Sequence, residues 1–278
     1  MLSVITVVRN DFNGLKKTIE SVELQTGIDI EHLIIDGGST DGSAKVAAEK
    51  NLIDIPSFED GGIYQGMQRG VDLASGEYLL FLNSGDVFIG TKFVSDAFLR
   101  LHADKGHWGY GPMIERNLRG GFSYTSVNAD NSILKVAQRK SYIPFPAVIM
   151  SRRLVNDIGG FSFNYHIAGD FDLLVRLAQV STPITWDVPF TLFSAGGISY
   201  TKAPVAWKEE HQIRVARMGL TGSAKLNSYL IYQRRKLKGV LGKALDYGFS
   251  LAKIPNSCHW REGRKISVPN EFLQIISN

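Results

Sequence analysis

The chain alternates short apolar blocks with longer polar stretches, and the block lengths separate strands from helices. Leu2–Val8 is β-branched and uncharged, which predicts a buried first strand. Leu15, Ile19 and Val22 follow at helical spacing. His32–Ile35 is a second strand, ending on Asp36-Gly-Gly-Ser-Thr-Asp-Gly42, where Ser39, Thr40 and Asp41 are candidate N-caps for a helix over Ala44–Lys50. Ile53–Phe58 predicts a third strand and Gly62–Ala74 a third helix. The run Tyr78–Leu82 is short, wholly apolar and preceded by Gly76, the pattern of a strand buried on both faces. Strands alternating with helices of this length imply βαβ units and a mostly parallel sheet flanked by helices, an α/β fold.

The pattern loosens after Asp86. Thr91–Leu101, Arg152–Ile158 and Asp170–Gln179 read as helices, and Trp108–Ile114, Phe122–Ser126, Val148–Ser151, Ile184–Val188 and Thr191–Phe193 as strands. From Pro204 onward strand signals nearly vanish, and Trp207–Met218 and Ser223–Lys253 predict helices. That shift divides the chain into a domain over residues 1–203 and a helical extension over 204–278.

Composition alters this picture in two places. One cysteine, Cys258, in 278 residues excludes an internal disulfide framework and fits a reducing compartment, so a cytoplasmic location is expected. Met1–Arg9 is apolar without a basic leader and reads as strand rather than signal peptide. The net charge of +4 is mild, yet residues 225–243 hold six basic side chains and no acid. With Leu226, Leu230, Leu237 and Leu241 on one side of a helix, that stretch predicts either a packed helix or peripheral attachment to an anionic inner-membrane surface.

Candidate chemistry falls at predicted strand ends: Val8-Arg9-Asn10, Asp36-Gly37-Gly38, Asp60 and Asn83-Ser84-Gly85-Asp86. In open α/β sheets ligands bind at the carboxyl ends of strands. Three carboxylates gathered on one rim repel one another unless a cation or a hydrogen-bonding ligand intervenes. A nucleotide with its metal meets both needs: Asp36 accepts from a base N–H, and Asp86 holds an Mg²⁺ or Mn²⁺ bridging a diphosphate. Asp170, at a predicted helix start behind Ala168 and Gly169, is placed to take a proton from an attacking hydroxyl. His211 and Arg214 share one side of a helix; they read as a solvated face, with approach to the diphosphate, once the tail folds over the site, as the alternative.

These segments, taken in order, resemble the inverting glycosyltransferases of family 2, which have the GT-A fold. The carrying residues are Ser3–Asn10, Ile35–Gly42, Glu59-Asp-Gly-Gly-Ile-Tyr64, Ala74–Tyr78, Phe81-Leu-Asn-Ser-Gly-Asp86 and Ala168-Gly-Asp-Phe-Asp-Leu173. The subgroup most similar is the bacterial colanic-acid, capsule and O-antigen type. The resemblance implies a UDP- or GDP-linked sugar donor and a glycan or lipid-linked acceptor. It assigns Val8, Arg9, Asp36, Asp60, Gln68, Asn83 and Gly85 to the nucleotide sugar, Asp86 to a divalent metal and Asp170 to the general base. Departures are that Asn83 stands where the D-x-D motif has an acid, Gly169 replaces the Glu of a Glu-Asp pair, and Gln65 and Gln68 replace an Asp and an Asn. The processive Gln-x-x-Arg-Trp signature is absent, which predicts transfer of a single sugar. A nucleotidyltransferase and a non-catalytic nucleotide-sugar-binding or scaffold protein are the alternatives. The first usually has a basic, Gly-rich phosphate loop where this chain has Arg9-Asn-Asp-Phe-Asn-Gly14, and the second predicts no donor hydrolysis with Mn²⁺.

Overall fold

The structure is a computed structural model that describes residues 1–49, 62–118, 121–125, 143–245, 258–259 and 265–266. Its strands are β1 (Leu2–Val8), β2 (Ile30–Asp36), β3 (Tyr78–Phe81), β4 (Val87–Phe88), β5 (Trp108–Tyr110), β6 (Met113–Arg116), β7 (Phe122–Thr125), β8 (Val148–Ser151), β9 (Ile184–Thr185) and β10 (Thr191–Ser194), with a separate two-strand pair at Cys258–His259 and Lys265–Ile266. The helices are α1 (Phe12–Glu23), α2 (Ser43–Glu49), α3 (Gly62–Leu73), α4 (Phe93–Ala103), α5 (Arg152–Asp157), α6 (Gly169–Val180), α7 (Ile198–Thr201), α8 (Ala203–Met218) and α9 (Gly222–Leu245).

The main sheet runs in the order β2-β1-β3-β8-β5-β9. β1 is parallel to both β2 and β3, β8 is antiparallel to β3 and β5, and β9 is parallel to β5. β8 alone therefore runs against the others, as a mostly parallel sheet requires. Alternate residues of β3 feed opposite cores. Leu79 and Phe81 join Ile5, Ile35, Met67, Val71 and Leu173 on the face covered by α3 and α6. Tyr78 and Leu80 join Val4, Val22, Val94 and Leu101 on the other. The expectation of a strand buried on both faces holds at every residue of β3.

A smaller sheet, β4-β10-β6-β7, lies beyond the strand ends. Its existence corrects the single strand expected over Trp108–Ile114. That run splits at Gly111-Pro112 into β5 of the main sheet and β6 of the small one, because proline has no N–H to continue a ladder. The third strand expected at Ile53–Phe58 lies outside the described residues, as does Asp60. Helix α8 begins at Ala203 rather than near Trp207, since Pro204 fits the first turn, where its missing N–H leaves no bond unmade.

The helical tail is bonded to the sheet domain through its first helix. Glu209 of α8 accepts from the backbone N–H of His166 (2.9 Å), Ile167 (2.8 Å) and Ala168 (2.9 Å). Ile213 is fully buried against Ala168 and Val175. Asp172, buried in α6, accepts from Arg176 Nε at 2.8 Å and from Arg217 Nε of α8 at 2.7 Å. α9 packs in turn on α8, where His211 Nδ1 lies 2.9 Å from Ser228 Oγ. Among the described residues, no helix is long and apolar enough to cross a membrane.

The three N–H groups held by Glu209 belong to the loop that starts α6. Glu209→Gln replaces one carboxylate oxygen with an amino group that cannot accept, leaving at least one buried N–H unpaired. It should lower unfolding free energy by about 1–3 kcal/mol, read as an earlier urea midpoint at unchanged slope. A wild-type midpoint would show that the loop does not depend on this carboxylate.

Candidate active site

The strand ends of the main sheet, the small sheet and helices α6, α8 and α9 enclose a cleft of about 830 Å³. Its lining includes the carboxylates of Asp11, Asp86, Asp170 and Glu210 and the amide of Asn83.

Asp86 follows β3 in a turn that reverses at Gly85, whose φ of +89° suits glycine and strains residues with a Cβ. The turn is fastened to α1 and β10. Thr18 Oγ1 donates to the Asp86 carbonyl at 2.8 Å, Gly85 N donates to Thr18 Oγ1 at 3.1 Å, and Ser194 Oγ donates to the Gly85 carbonyl at 2.7 Å. The Asp86 carboxylate is 3% exposed and accepts from Ser194 N at 3.0 Å through Oδ1. Burial pushes its pKa up to about 8; the Ser194 bond opposes the rise, and the nearby charge of Asp11 adds to it.

Asp11 is a residue the sequence reading missed. It N-caps α1 by accepting from Gly14 N at 3.1 Å, and accepts from Ser84 Oγ at 2.6 Å. Its position is ordinary for a cap, so its sequence signal was that of a helix start. The fold alone brings it beside Asp86. Asn83 presents a buried Oδ1 that has no hydrogen-bond partner. Such an orphaned acceptor costs free energy unless a donor or cation meets it.

Asp170 stands in the first turn of α6, where the helix dipole favours an anion. Its Oδ1 accepts from Phe171 N at 2.8 Å and from the Tyr64 hydroxyl at 3.1 Å. The same hydroxyl lies 2.6 Å from the Ile167 carbonyl. Burial raises the pKa of Asp170 and the charge of Glu209 adds to it, while the bonds from Phe171 and Tyr64 oppose the rise. Burial, reinforced by Asp170, holds the Tyr64 phenol far above its ordinary ionisation, so it stays a neutral donor. Gly169 has a steric reason here: a Cβ would come within 2.7 Å of the Tyr64 ring. The ring takes the space a glutamate side chain would need.

Of the residues expected from sequence, Arg9, Asn83, Asp86 and Asp170 line the one cleft. Val8 does not: it packs with Leu15, Ile19 and Ile34 beneath α1, and strand alternation turns Val7 to the cleft instead. Gln68 faces elsewhere, accepting from Phe161 N at 2.8 Å and donating to Asp72 Oδ1 at 2.8 Å. Gly85 shapes the turn without lining the cleft. Asp36 is buried at the end of β2; its Oδ2 accepts from Gly38 N and Ser39 N, and its Oδ1 has no hydrogen-bond partner. Asp172, beside Asp170, is consumed by its two arginines and is not open to a substrate.

Arg214 corrects the expectation of a solvated helix face. It is 4% exposed, lines the cleft and lies over the Phe171 ring, 4.9 Å from its centroid. Burial lowers its pKa to about 10. Among the described residues, no three His, Cys, Asp or Glu side chains converge as a closed metal cage.

Residues 3–102 match the family model "Glycosyl transferase family 2". An uncharacterized glycosyltransferase of Mycobacterium tuberculosis is 33% identical over 217 residues, covering 74% of this chain and 79% of that protein. A PGL/p-HBAD biosynthesis glycosyltransferase of Mycobacterium bovis is 31% identical over 189 residues, covering 63% of this chain and 69% of its own length. Among solved structures, S. aureus TarS 1–349 in complex with UDP-GlcNAc superposes with a TM-score of 0.64 at 16% identity, over 89% of this chain and 76% of that one. The mannosyltransferase PcManGT of Pyrobaculum calidifontis, in complex with GDP-Man and Mn²⁺, gives 0.59 at 15% identity, over 89% and 76%. At those identities the likeness is one of fold, and the fold is GT-A. On the strength of the family model and the longer matches, the chain belongs to glycosyltransferase family 2.

Proposed function

We propose that this enzyme transfers one sugar, with inversion, from a UDP- or GDP-linked donor to a hydroxyl of a glycan or lipid-linked acceptor in surface polysaccharide synthesis. The observation that carries the reading is a single cleft lined by Asp86, its orphaned neighbour Asn83 and Asp170. Solved relatives in fold hold UDP-GlcNAc or GDP-Man with Mn²⁺, which supports a nucleotide-sugar donor here.

The acceptor hydroxyl attacks the anomeric carbon as the bond from that carbon to the diphosphate oxygen breaks. The hydroxyl proton passes to Asp170, and the nucleoside diphosphate leaves. Tyr64 and Phe171 N fix the Asp170 carboxylate through Oδ1. Arg9 lines the cleft and would meet the nucleotide, and Asp36 Oδ1, which is not part of the cleft lining, is a buried acceptor suited to a base N–H. Asp60 remains part of this proposal from sequence alone.

The residues present fit a divalent cation. Asp86, buried and raised to about 8, is an acid whose charged form lacks a counter-ion, and Asn83 Oδ1 lacks a partner. Asp86 and Asn83 would hold the ion, with Asp11 adding charge beside it, and phosphate and water would complete its shell. Bound there, the ion would stabilise negative charge on the departing diphosphate.

The tail reading also belongs to this proposal. On α9, Leu226, Leu230 and Leu237 are exposed, and Lys225, Arg234 and Lys236 lie on the same helix. That combination supports attachment to an anionic leaflet. Arg235 is excluded from such a face, since it turns to Glu210 and lines the cleft.

Three outcomes follow. Asp170→Asn keeps the shape but cannot accept a proton, so kcat should fall about 10²–10⁴-fold with donor binding unchanged. In the wild type, kcat/KM should rise with pH through an ionisation above the ordinary carboxylate range, because the folded pKa is raised. Near-normal turnover in the variant, or a flat profile from pH 4 to 8, would move the base elsewhere.

Manganese binding, followed by the loss of the free-ion EPR signal in the presence of UDP or GDP, should vanish in Asp86→Asn. Asp11→Asn, which still caps α1, should weaken it about 10–100-fold. Binding unchanged in both variants would place the ion at another site.

For the tail, co-sedimentation with vesicles containing anionic lipid should exceed that with neutral vesicles and fall with salt, since screening shortens to roughly 3 Å at 1 M. Changing Lys225, Arg234 and Lys236 to Gln should remove the difference. Equal binding of both proteins to both vesicle types would leave α9 as packing alone.

A further inference from the structure

We propose that Arg214 and Arg235 form a subsite for a phosphate-type anionic group carried by the acceptor. The inference rests on the transferase reading and adds an acceptor class to it.

Arg214 is the unusual group. Its side chain is almost wholly buried, yet it lines the cleft, and its Nε is buried with no hydrogen-bond partner. A guanidinium carries five N–H donors in a fixed fork suited to carboxylate or phosphate oxygens. Here Nη2 donates to Glu210 Oε2 at 3.0 Å, and the plane rests over Phe171. Arg235 Nη1 lies 3.6 Å from the same Glu210 oxygen and also lines the cleft. Glu210 stands between the two guanidiniums, so these three side chains together carry a single positive charge. Leaving a buried donor unmade is costly, and a ligand that accepts from Nε removes that cost.

The side of the cleft on which this charge lies decides which ligand it serves. In an inverting displacement the base and the leaving diphosphate stand on opposite faces of the anomeric carbon. Arg214 rests on Phe171, the residue after the base Asp170 and itself a lining residue. The diphosphate belongs with Asp86 and Asn83. The cations beside Asp170 therefore meet the molecule that brings the hydroxyl. An acceptor sugar linked to phosphate or diphosphate, on a lipid or free, has an anion within one sugar's length of its reacting hydroxyl. Trp207 of α8, also in the wall, offers a flat apolar surface for such a sugar.

Calorimetric titration with inorganic phosphate, farnesyl phosphate and farnesol, in EDTA so that no metal site holds phosphate, tests the subsite. Both phosphates should bind the full-length protein and farnesol more weakly. Arg214→Gln should weaken both phosphates about 10–100-fold, Arg214→Lys less, and Asp86→Asn not at all. UDP and GDP with Mn²⁺ should bind Arg214→Gln as they bind the wild type. Tighter binding of farnesyl phosphate than of phosphate, beyond the farnesol contribution, assigns the anion to a lipid; equal binding assigns it to a soluble acceptor. Phosphate affinity unchanged by Arg214→Gln would overturn the proposal. So would an equal loss of UDP or GDP affinity, which would give the arginines to the donor. If Arg214→Gln does not fold, the half-exposed Arg235→Gln decides, with a loss of about 10-fold expected and no loss overturning the subsite. Failure of the wild type to bind any nucleotide would count against the transferase reading alone, because the phosphate titration reports on the arginines independently.

Discussion

The carboxylate of Glu209 is the constraint on which the site depends. It comes from α8, more than forty residues along the chain from the loop it holds, and is buried, where three backbone N–H groups satisfy it. Charge-assisted bonds of this kind are worth about 1.5–3 kcal/mol each. They fix His166–Ala168, and with them the first turn of α6 and the Ile167 carbonyl beside which the Tyr64 hydroxyl lies. The same charge adds to the effect of burial in raising Asp170. One interaction thus joins the tail to the sheet domain, places the proposed base and lifts its basicity.

The electrostatics of the cleft follow from where counter-charge is supplied and where it is withheld. Asp172, fully buried, is neutralised by Arg176 and Arg217 and acts as structure. Asp170, two residues earlier, has only neutral donors and stays raised. Asp86 has a single backbone N–H and a second acid nearby, and burial pushes it up to about 8. Adjacent acids of the same type therefore have different tasks. Arg214 and Arg235 supply the opposite sign in the same cleft.

Local chemistry in the sequence was enough for the parallel core and for the acids at strand ends. The apolar run Tyr78–Phe81 could only be satisfied between two covered faces, and Asp86 and Asp170 were marked by small neighbours. What was not legible required contacts between distant segments. Asp11 reads as a helix cap because it is one; only the turn after β3 brings it near Asp86. Val8 was assigned to the nucleotide by motif, whereas strand alternation turns Val7 to the cleft. Glu209 and Arg214 lie in a charged helical stretch, Trp207-Lys-Glu-Glu-His-Gln-Ile-Arg214, that reads as a solvated face until α8 is seen packed on α6. Gln68 stands where relatives have an Asn, but its amide is spent on Phe161 N and Asp72.

The central claim is that Asp170 and the departing diphosphate stand on opposite sides of the reacting carbon. The stereochemistry of the product reports this directly. With an α-linked nucleotide sugar that the enzyme turns over, NMR of the initial product should show the large anomeric coupling of a β-linkage for a gluco- or galacto-configured sugar. An α-linked initial product would mean retention, and would contradict an in-line attack with Asp170 as base.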